Sequence, residues 1–254
     1  MADTSEIIVF CNQLLRSSAF SDLAVNGLQV QGKDRIERLA VAVSTSEWTL
    51  RKAVGWNADA LLVHHGLFLG SQMQPLTGIF ARRLRLLFKH DINLIAYHLP
   101  LDGHEAIGNC ALLAVRSGFT VVDRFAEIGG EPLGVVGHRS PGLSLSDLAA
   151  RMAEVTEREP AIVGETTKGA ALNRVGFLTG SGYSAIQDAI AAGCQALVTG
   201  DIREPTMAEA RELGLPVIAA GHEATERFGV QALADEISGH FGIKTRFLHD
   251  PNPV

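Results

Sequence analysis

Residues 58–68 read Ala58-Asp-Ala-Leu-Leu-Val-His-His-Gly-Leu-Phe68, an apolar run that ends in two adjacent histidines. A short, continuous apolar run with polar ends predicts a strand buried on both faces. The neighbouring sequence repeats the pattern. Arg38–Ser44 (RLAVAVS) and Ile92–Tyr97 predict two more buried strands, with helices over Ser46–Trp56 and Thr77–His90 between them. Buried strands alternating with helices imply an α/β fold with mostly parallel sheets flanked by helices. Upstream, Ser5–Ser17 carries Ile8, Val9, Leu14 and Leu15 at helical spacing, with Thr4 as N-cap, and Asn26-Gly27 marks a turn.

The second half follows the same order. Arg174–Thr179, Ala196–Thr199 and Pro216–Ala220 predict strands, with helices over Ala185–Ala192 and Pro205–Leu213. Ala60-Leu-Leu-Val aligns with Ala196-Leu-Val-Thr, and Ile95-Ala-Tyr-His98 with Ala219-Ala-Gly-His222. An internal duplication accounts for this, although βαβ units resemble one another by chance. Between the halves, Phe125–Asn173 is less regular, with Gly129-Gly130, Pro141-Gly142 and a helix over Ser146–Thr156. The chain then divides into two similar lobes, 1–125 and 126–254.

Composition narrows the class. At 254 residues the chain can bury a large core without disulfides. A net charge of -6 argues against a nucleic-acid partner, and Arg82, Arg83, Arg85 and Lys89 read as a solvated helix face. Cys11, Cys110 and Cys194 form no metal or redox spacing and suit buried thiols in a reducing compartment. No membrane span and no secretory leader are evident, so the cytoplasm is the expected location.

The histidines carry the chemistry. Imidazole is a frequent metal ligand at neutral pH. His64-His65, His98 with Asp102, and His222 with Glu226 all follow strand-like runs. The carboxyl ends of parallel strands are where α/β folds place their sites. Buried histidines at strand ends are more often hydrogen-bonded core residues, but three such placements at corresponding ends favour one metal site. Adjacent strand residues face opposite ways, so His64 and His65 suit two neighbouring ions. His222 and Glu226, four apart, converge if a helix begins near Gly221. His90, His138, His240 and His249 have no such company. Gly180-Ser-Gly182 lies between a strand and a helix, where it reads as a tight turn or, less specifically, a phosphate cradle with Ser181 or Tyr183 at the ligand.

These residues resemble a known family. Asn26-Gly-Leu-Gln-Val, Val63-His-His-Gly-Leu-Phe, Tyr97-His-Leu-Pro-Leu-Asp, Gly108-Asn, Thr199-Gly-Asp, Ala220-Gly-His-Glu-Ala-Thr-Glu and the terminal Pro251-Asn-Pro are similar to the Nif-three-like proteins. These are labelled GTP cyclohydrolase I type II homologues, and the resemblance is to their short bacterial YbgI branch. It implies two α/β lobes with a dinuclear metal site between them. It also implies a ring-shaped homohexamer, a trimer of dimers. The family's ligands fall on His64, His65, Asp102, His222 and Glu226, with His98 beside the metals or a weak ligand. Many relatives have a histidine soon after Thr-Gly-Asp, where this chain reads Ile202-Arg-Glu-Pro-Thr-Met-Ala.

The expected function is a metal-dependent hydrolase with two divalent ions per chain, zinc, iron, manganese or nickel. Two ions bring four positive charges, and Asp102, Glu226 and a bridging hydroxide remove three. The positive remainder favours a small anionic substrate, nucleotide-like or phosphorylated. His98 and His104 are candidate proton shuttles. The alternative is a metal-binding scaffold or regulatory protein without turnover.

Overall fold

The computed structural model describes residues 1–70, 75–166, 170–250 and 252. Pro251 and Pro253 of the terminal motif lie outside the described residues. In chain order the elements are β1 (Ala2–Asp3), α1 (Thr4–Leu14), β2 (Gly27–Val30), β3 (Arg35–Ile36), β4 (Arg38–Ser44), α2 (Glu47–Gly55), β5 (Ala60–His65), α3 (Gly78–His90), β6 (Asn93–Ala96) and α4 (Leu99–Asp102). There follow α5 (Asn109–Arg116), β7 (Thr120–Ile128), β8 (Glu131–Leu143), α6 (Leu145–Thr156), β9 (Ala161–Val163), β10 (Leu172–Leu178), α7 (Ile186–Ala191) and β11 (Ala196–Thr199). The chain ends with α8 (Glu204–Leu213), β12 (Val217–Ala219), α9 (His222–Thr225), α10 (Arg227–Phe241) and β13 (Lys244–Phe247). Among the described residues no helix is long and apolar enough to cross a membrane.

Contacts divide the chain into two compact units, one of Met1–Leu101 with a return segment from Gly229, the other of Asp102–Phe228. A cut at 125/126 differs from this: the boundary falls at 101/102, so α5 lies in the second unit. The first sheet takes β13 from the end of the chain, and β7 belongs with its hairpin partner β8.

The first unit holds a five-stranded sheet in the order β13-β4-β5-β6-β2. Strands β13, β4, β5 and β6 run parallel, and β2 is antiparallel to β6. The apolar runs become strands because both faces are covered: Leu61, Leu62 and Val63 of β5 are fully buried. Leu61 and Val63 pack in one core with Leu94 of β6, Leu50 of α2 and Leu87 of α3. Helix α2 starts at Ser46, whose Oγ accepts from Thr49 N at 3.1 Å while Thr49 Oγ1 accepts from Ser46 N at 2.8 Å. That reciprocal capping fixes the turn directly after β4. Helix α1 is capped one residue earlier than its pattern suggests, by Asp3, which accepts from Ser5 N at 2.9 Å. Thr4 instead donates to the Lys33 carbonyl at 2.8 Å. Asn26-Gly27, read as a turn, opens edge strand β2, with Gly27 at φ 101°.

The second unit holds a six-stranded mixed sheet, β7-β8-β10-β11-β12-β9. Here the expectation of mostly parallel strands is corrected. Only β10, β11 and β12 run parallel, and β7, β8 and β9 join antiparallel. Gly129 and Gly130, at φ 68° and 86°, turn the chain back on itself and create a long hairpin where the sequence looked irregular. Its register slips between Val121 and Asp123, which hides the period-two pattern.

Candidate metal centre

Three histidines gather in the first unit. His64 is fully buried near the end of β5, and its Nδ1 lies 2.9 Å from the Tyr97 carbonyl. A carbonyl only accepts, so Nδ1 carries the proton and Nε2 keeps its lone pair. His65, the last residue of β5, has Nδ1 3.0 Å from Ser44 Oγ on β4. His98 follows β6 and has Nδ1 2.9 Å from Asp22 Oδ1. Ring centroids are 4.6 Å apart for His64 and His65, and 4.9 Å for His64 and His98. One ring nitrogen from each of the three lies within 4.8 Å of the other two. His64 and His65 therefore do not face opposite ways. His65 is still paired with Ser44 in the ladder, and the Ser44 hydroxyl holds its ring.

Asp22 is the anchor that the sequence did not disclose. Its Oδ1 accepts from Ala24 N and His98 Nδ1, and its Oδ2 from Asn26 Nδ2 and Leu99 N, all between 2.9 and 3.0 Å. Asn26 Oδ1 in turn accepts from His98 N at 2.8 Å. Burial works to raise the Asp22 carboxyl, but the hydrogen bonds from His98, Ala24 and Asn26 outweigh it and hold it well below the carboxylate range.

The second unit holds a cluster of its own, with two carboxylates and one imidazole. After β12, Gly221 at φ 96° starts the single turn α9, and Thr225 N returns to the Gly221 carbonyl at 3.0 Å. That turn sets His222 Nε2 3.3 Å from Glu226 Oε1. On the other side of the ring, His222 Nδ1 lies 2.8 Å from Asp201 Oδ2. Burial disfavours the charged imidazole, yet Glu226 and Asp201 together raise His222 to about 9. Asp102 and Glu226 are both buried, and an oxygen of each lies within 4.8 Å of the other. Asp102 Oδ1 accepts from Asn109 Nδ2 at 2.8 Å and Thr179 Oγ1 at 3.3 Å. Two buried carboxylates this close repel each other, and a dication between them relieves both the repulsion and the burial cost.

The residues present fit metal. Imidazole and carboxylate are donors for divalent first-row ions. For His64, His98 and His222 an acceptor lies at Nδ1, which leaves Nε2 as the atom that could ligate, as in the outer-shell arrangement of metal-bound histidines. Gly180, at φ 62°, supplies the room. A Cβ there would collide with Glu226 Oε1 and crowd His222 Nε2. The thiols do not contribute: all three are free and buried, and burial pushes Cys110 up to about 12.

The remaining candidates fall elsewhere. His104 Nδ1 accepts from Ala106 N and Ile107 N at 3.2 and 3.1 Å, closing the turn before α5. Gly180 N donates to Thr225 Oγ1 at 3.3 Å, and the Gly180 carbonyl accepts from Gly200 N and Asp201 N. Gly180 therefore spends both its backbone groups on the protein, and Ser181 Oγ donates to Asp201 at 3.1 Å. The guanidinium of Arg203 lies over the Tyr183 ring, 4.8 Å from its centroid. His240 stacks on Phe10, and His249 lies against Phe247. Sequence reasoning placed Asp201 in the Thr199-Gly-Asp motif but gave it no role, although it sits just past β11 as His65 does at the end of β5. The position was the signal.

With the geometry in place, the sequence can be set beside known proteins. Residues 2–253 match the Duf34/NIF3 (NGG1p interacting factor 3) family. The chain belongs to that family. A Neisseria meningitidis relative, "GTP cyclohydrolase 1 type 2 homolog", is 38% identical over 249 residues, 98% of each chain. A solved structure of a protein named ybgI, described as of unknown function, has a TM-score of 0.93 at 37% identity over 100% of both chains. The protein TTHA1606 from Thermus thermophilus has a TM-score of 0.85 at 35% identity, again over 100% of both.

Proposed function

We propose that the His64, His65 and His98 cluster and the Asp102, His222 and Glu226 cluster together hold two divalent ions per chain. We further propose that this centre hydrolyses a small anionic substrate. One observation carries the reading: the Nδ1 atoms of His64, His98 and His222 are each held by an acceptor-only oxygen. Core histidines need no such uniform arrangement. Ligands do, because an acceptor at one ring nitrogen orients the other toward a metal.

Two bound ions would supply a water acidified toward neutrality and a polarised scissile group. The chain's residues do the rest. Asp102, Glu226 and a hydroxide neutralise three of the four charges, which leaves a positive centre suited to an anion. The relatives' name, GTP cyclohydrolase 1 type 2 homolog, would fit a nucleotide within that class. His104 keeps Nδ1 engaged by backbone N–H groups, so Nε2 is the atom through which it would carry a proton. Zinc, iron, manganese and nickel all suit the donors. The buried thiols suit the cytoplasm.

A hexamer, proposed from the family resemblance, is supported by the exposed apolar Leu23, Val25 and Leu69. A bridge between Ala24 and Leu69 brings them side by side. Light scattering should give a mass near six chains, and a clean monomer at micromolar concentration would contradict it.

The deciding experiment screens metal-loaded protein against phosphorylated and cyclic metabolites, with His65→Ala as control. Metal-dependent turnover lost in the control supports the hydrolase. Full metal content, no turnover on any substrate and a sharp loss of melting temperature on chelation would establish a scaffold instead.

A further inference from the structure

Each of the two clusters has one histidine tied to an aspartate, and the two aspartates are built differently. Asp22 is buried in the first unit, with a side chain only 3% exposed. Both its oxygens are full: Oδ1 takes Ala24 N and His98 Nδ1, and Oδ2 takes Asn26 Nδ2 and Leu99 N. Asp201, in the second unit, uses one oxygen only. Its Oδ2 takes His222 Nδ1 and Ser181 Oγ, while Oδ1 is buried with no hydrogen-bond partner among the described residues.

We infer that Asp22 and Asp201 are the positioning residues that fix the tautomers of His98 and His222, and that only Asp22 must be an anion to do so. The inference rests on the metal-centre reading above. Four donors converge on Asp22, and a carboxylate is the only side chain of that size with four acceptor sites and no donor. An amide in its place fails in either orientation. With its NH2 at the Oδ1 position it confronts Ala24 N–H, and His98 must surrender its Nδ1 proton and carry it on Nε2, where the lone pair is needed. With its NH2 at the Oδ2 position it confronts Leu99 N–H and the Asn26 amide. Asn26 cannot simply turn over, because its Oδ1 already holds His98 N. At Asp201 the same substitution leaves the bond to His222 in place, and its cost is a buried NH2 without an acceptor among the described residues, which bears on stability rather than on the tautomer. The amide oxygen can keep His222 and Ser181, and the NH2 falls where no donor stands.

The test is cobalt titration of metal-free Asp22→Asn, Asp201→Asn and Asp201→Ala at neutral pH. Stoichiometry, affinity and the visible d–d spectrum are recorded, and thermal unfolding is measured on the same metal-free samples. Asp22→Asn should lose about 10- to 100-fold in affinity for one ion and change the spectrum, the usual size of an outer-shell loss. Asp201→Asn should stay within about threefold of wild type with an unchanged spectrum, while Asp201→Ala falls by about 10-fold or more. Equal losses in Asp201→Asn and Asp201→Ala, or wild-type binding by Asp22→Asn, overturn the inference. Should Asp22→Asn fail to fold, the Asp201 pair decides alone. A wild-type protein that binds no cobalt overturns the metal-centre reading itself, which is a separate result.

Discussion

The two sheets share a middle and differ at one margin. Both contain three parallel strands in sequence order, β4-β5-β6 and β10-β11-β12. In both, the third strand carries an antiparallel edge strand, β2 on β6 and β9 on β12. The opposite side differs. Strand β4 is joined in parallel by β13 from the end of the chain, whereas β10 is joined by the antiparallel hairpin β7-β8. The chemistry diverges as well. The first unit supplies a cluster of imidazoles, and the second pairs one imidazole with carboxylates. A shared βαβαβ frame thus fixes where ligands can stand, and the residues after each strand decide which ligands they are.

The largest expected effect removes one side of that pair. Elemental analysis should find two ions per chain, falling to one or none in both His64→Ala and Glu226→Ala. Unchanged metal in both variants would end the comparison of clusters as a comparison of ligands. Next comes the glycine contrast. At Gly180 an added Cβ meets Glu226 Oε1 in a left-handed backbone, so Gly180→Ala should weaken ion binding about 10-fold or more. At Gly66, beside His65, the backbone is not left-handed and the obstacle is the Gln29 amide rather than a candidate ligand, so Gly66→Ala should do less to ion binding. Equal calorimetric affinities would show that the cradle is not confined to the second cluster.

The central strands should respond alike. Leu61 of β5 and Leu197 of β11 are both fully buried. Each Leu→Ala change should cost about 2–5 kcal/mol by denaturant unfolding. A cost well under 1 kcal/mol in one of them would break the equivalence of the two frames. The smallest effect is electrostatic and confined to the first unit. Asp59 accepts from Lys33 Nζ at 2.6 Å and from Glu37 N and Arg38 N at 2.9 Å. Burial works to raise its carboxyl, but these bonds prevail and lower it. A lowered folded-state pKa stabilises above the ordinary carboxylate range, and the gain is lost as pH falls through the folded value. Asp59→Asn should therefore cost about 1–2 kcal/mol at pH 7, with the gap to wild type closing in acid.

Local pattern was legible where local physics decides. Arg38–Ser44 and Ala196–Thr199 are strands to the residue, and Ser46 caps the helix it precedes. These outcomes depend on near neighbours and on burial of both faces. Strand partners were not legible. Nothing in Lys244–Phe247 says that it lies beside β4, and the β7-β8 hairpin was obscured by its slipped register. The histidines stood out because imidazoles are scarce and sat at strand ends. Asp22 did not, because its meaning lies in His98, 76 residues away.

The late arrival of β13 has a consequence for synthesis. The second unit's span, Asp102–Phe228, is contiguous, while the first must wait for residues beyond Gly229. As the chain leaves the ribosome, N-terminal end first, the β4 edge has no partner while more than a hundred further residues are added. An uncovered strand edge invites pairing with another chain. An early segment thus stays unsealed longest, and nascent chains are exposed to mispairing along β4 until β13 emerges.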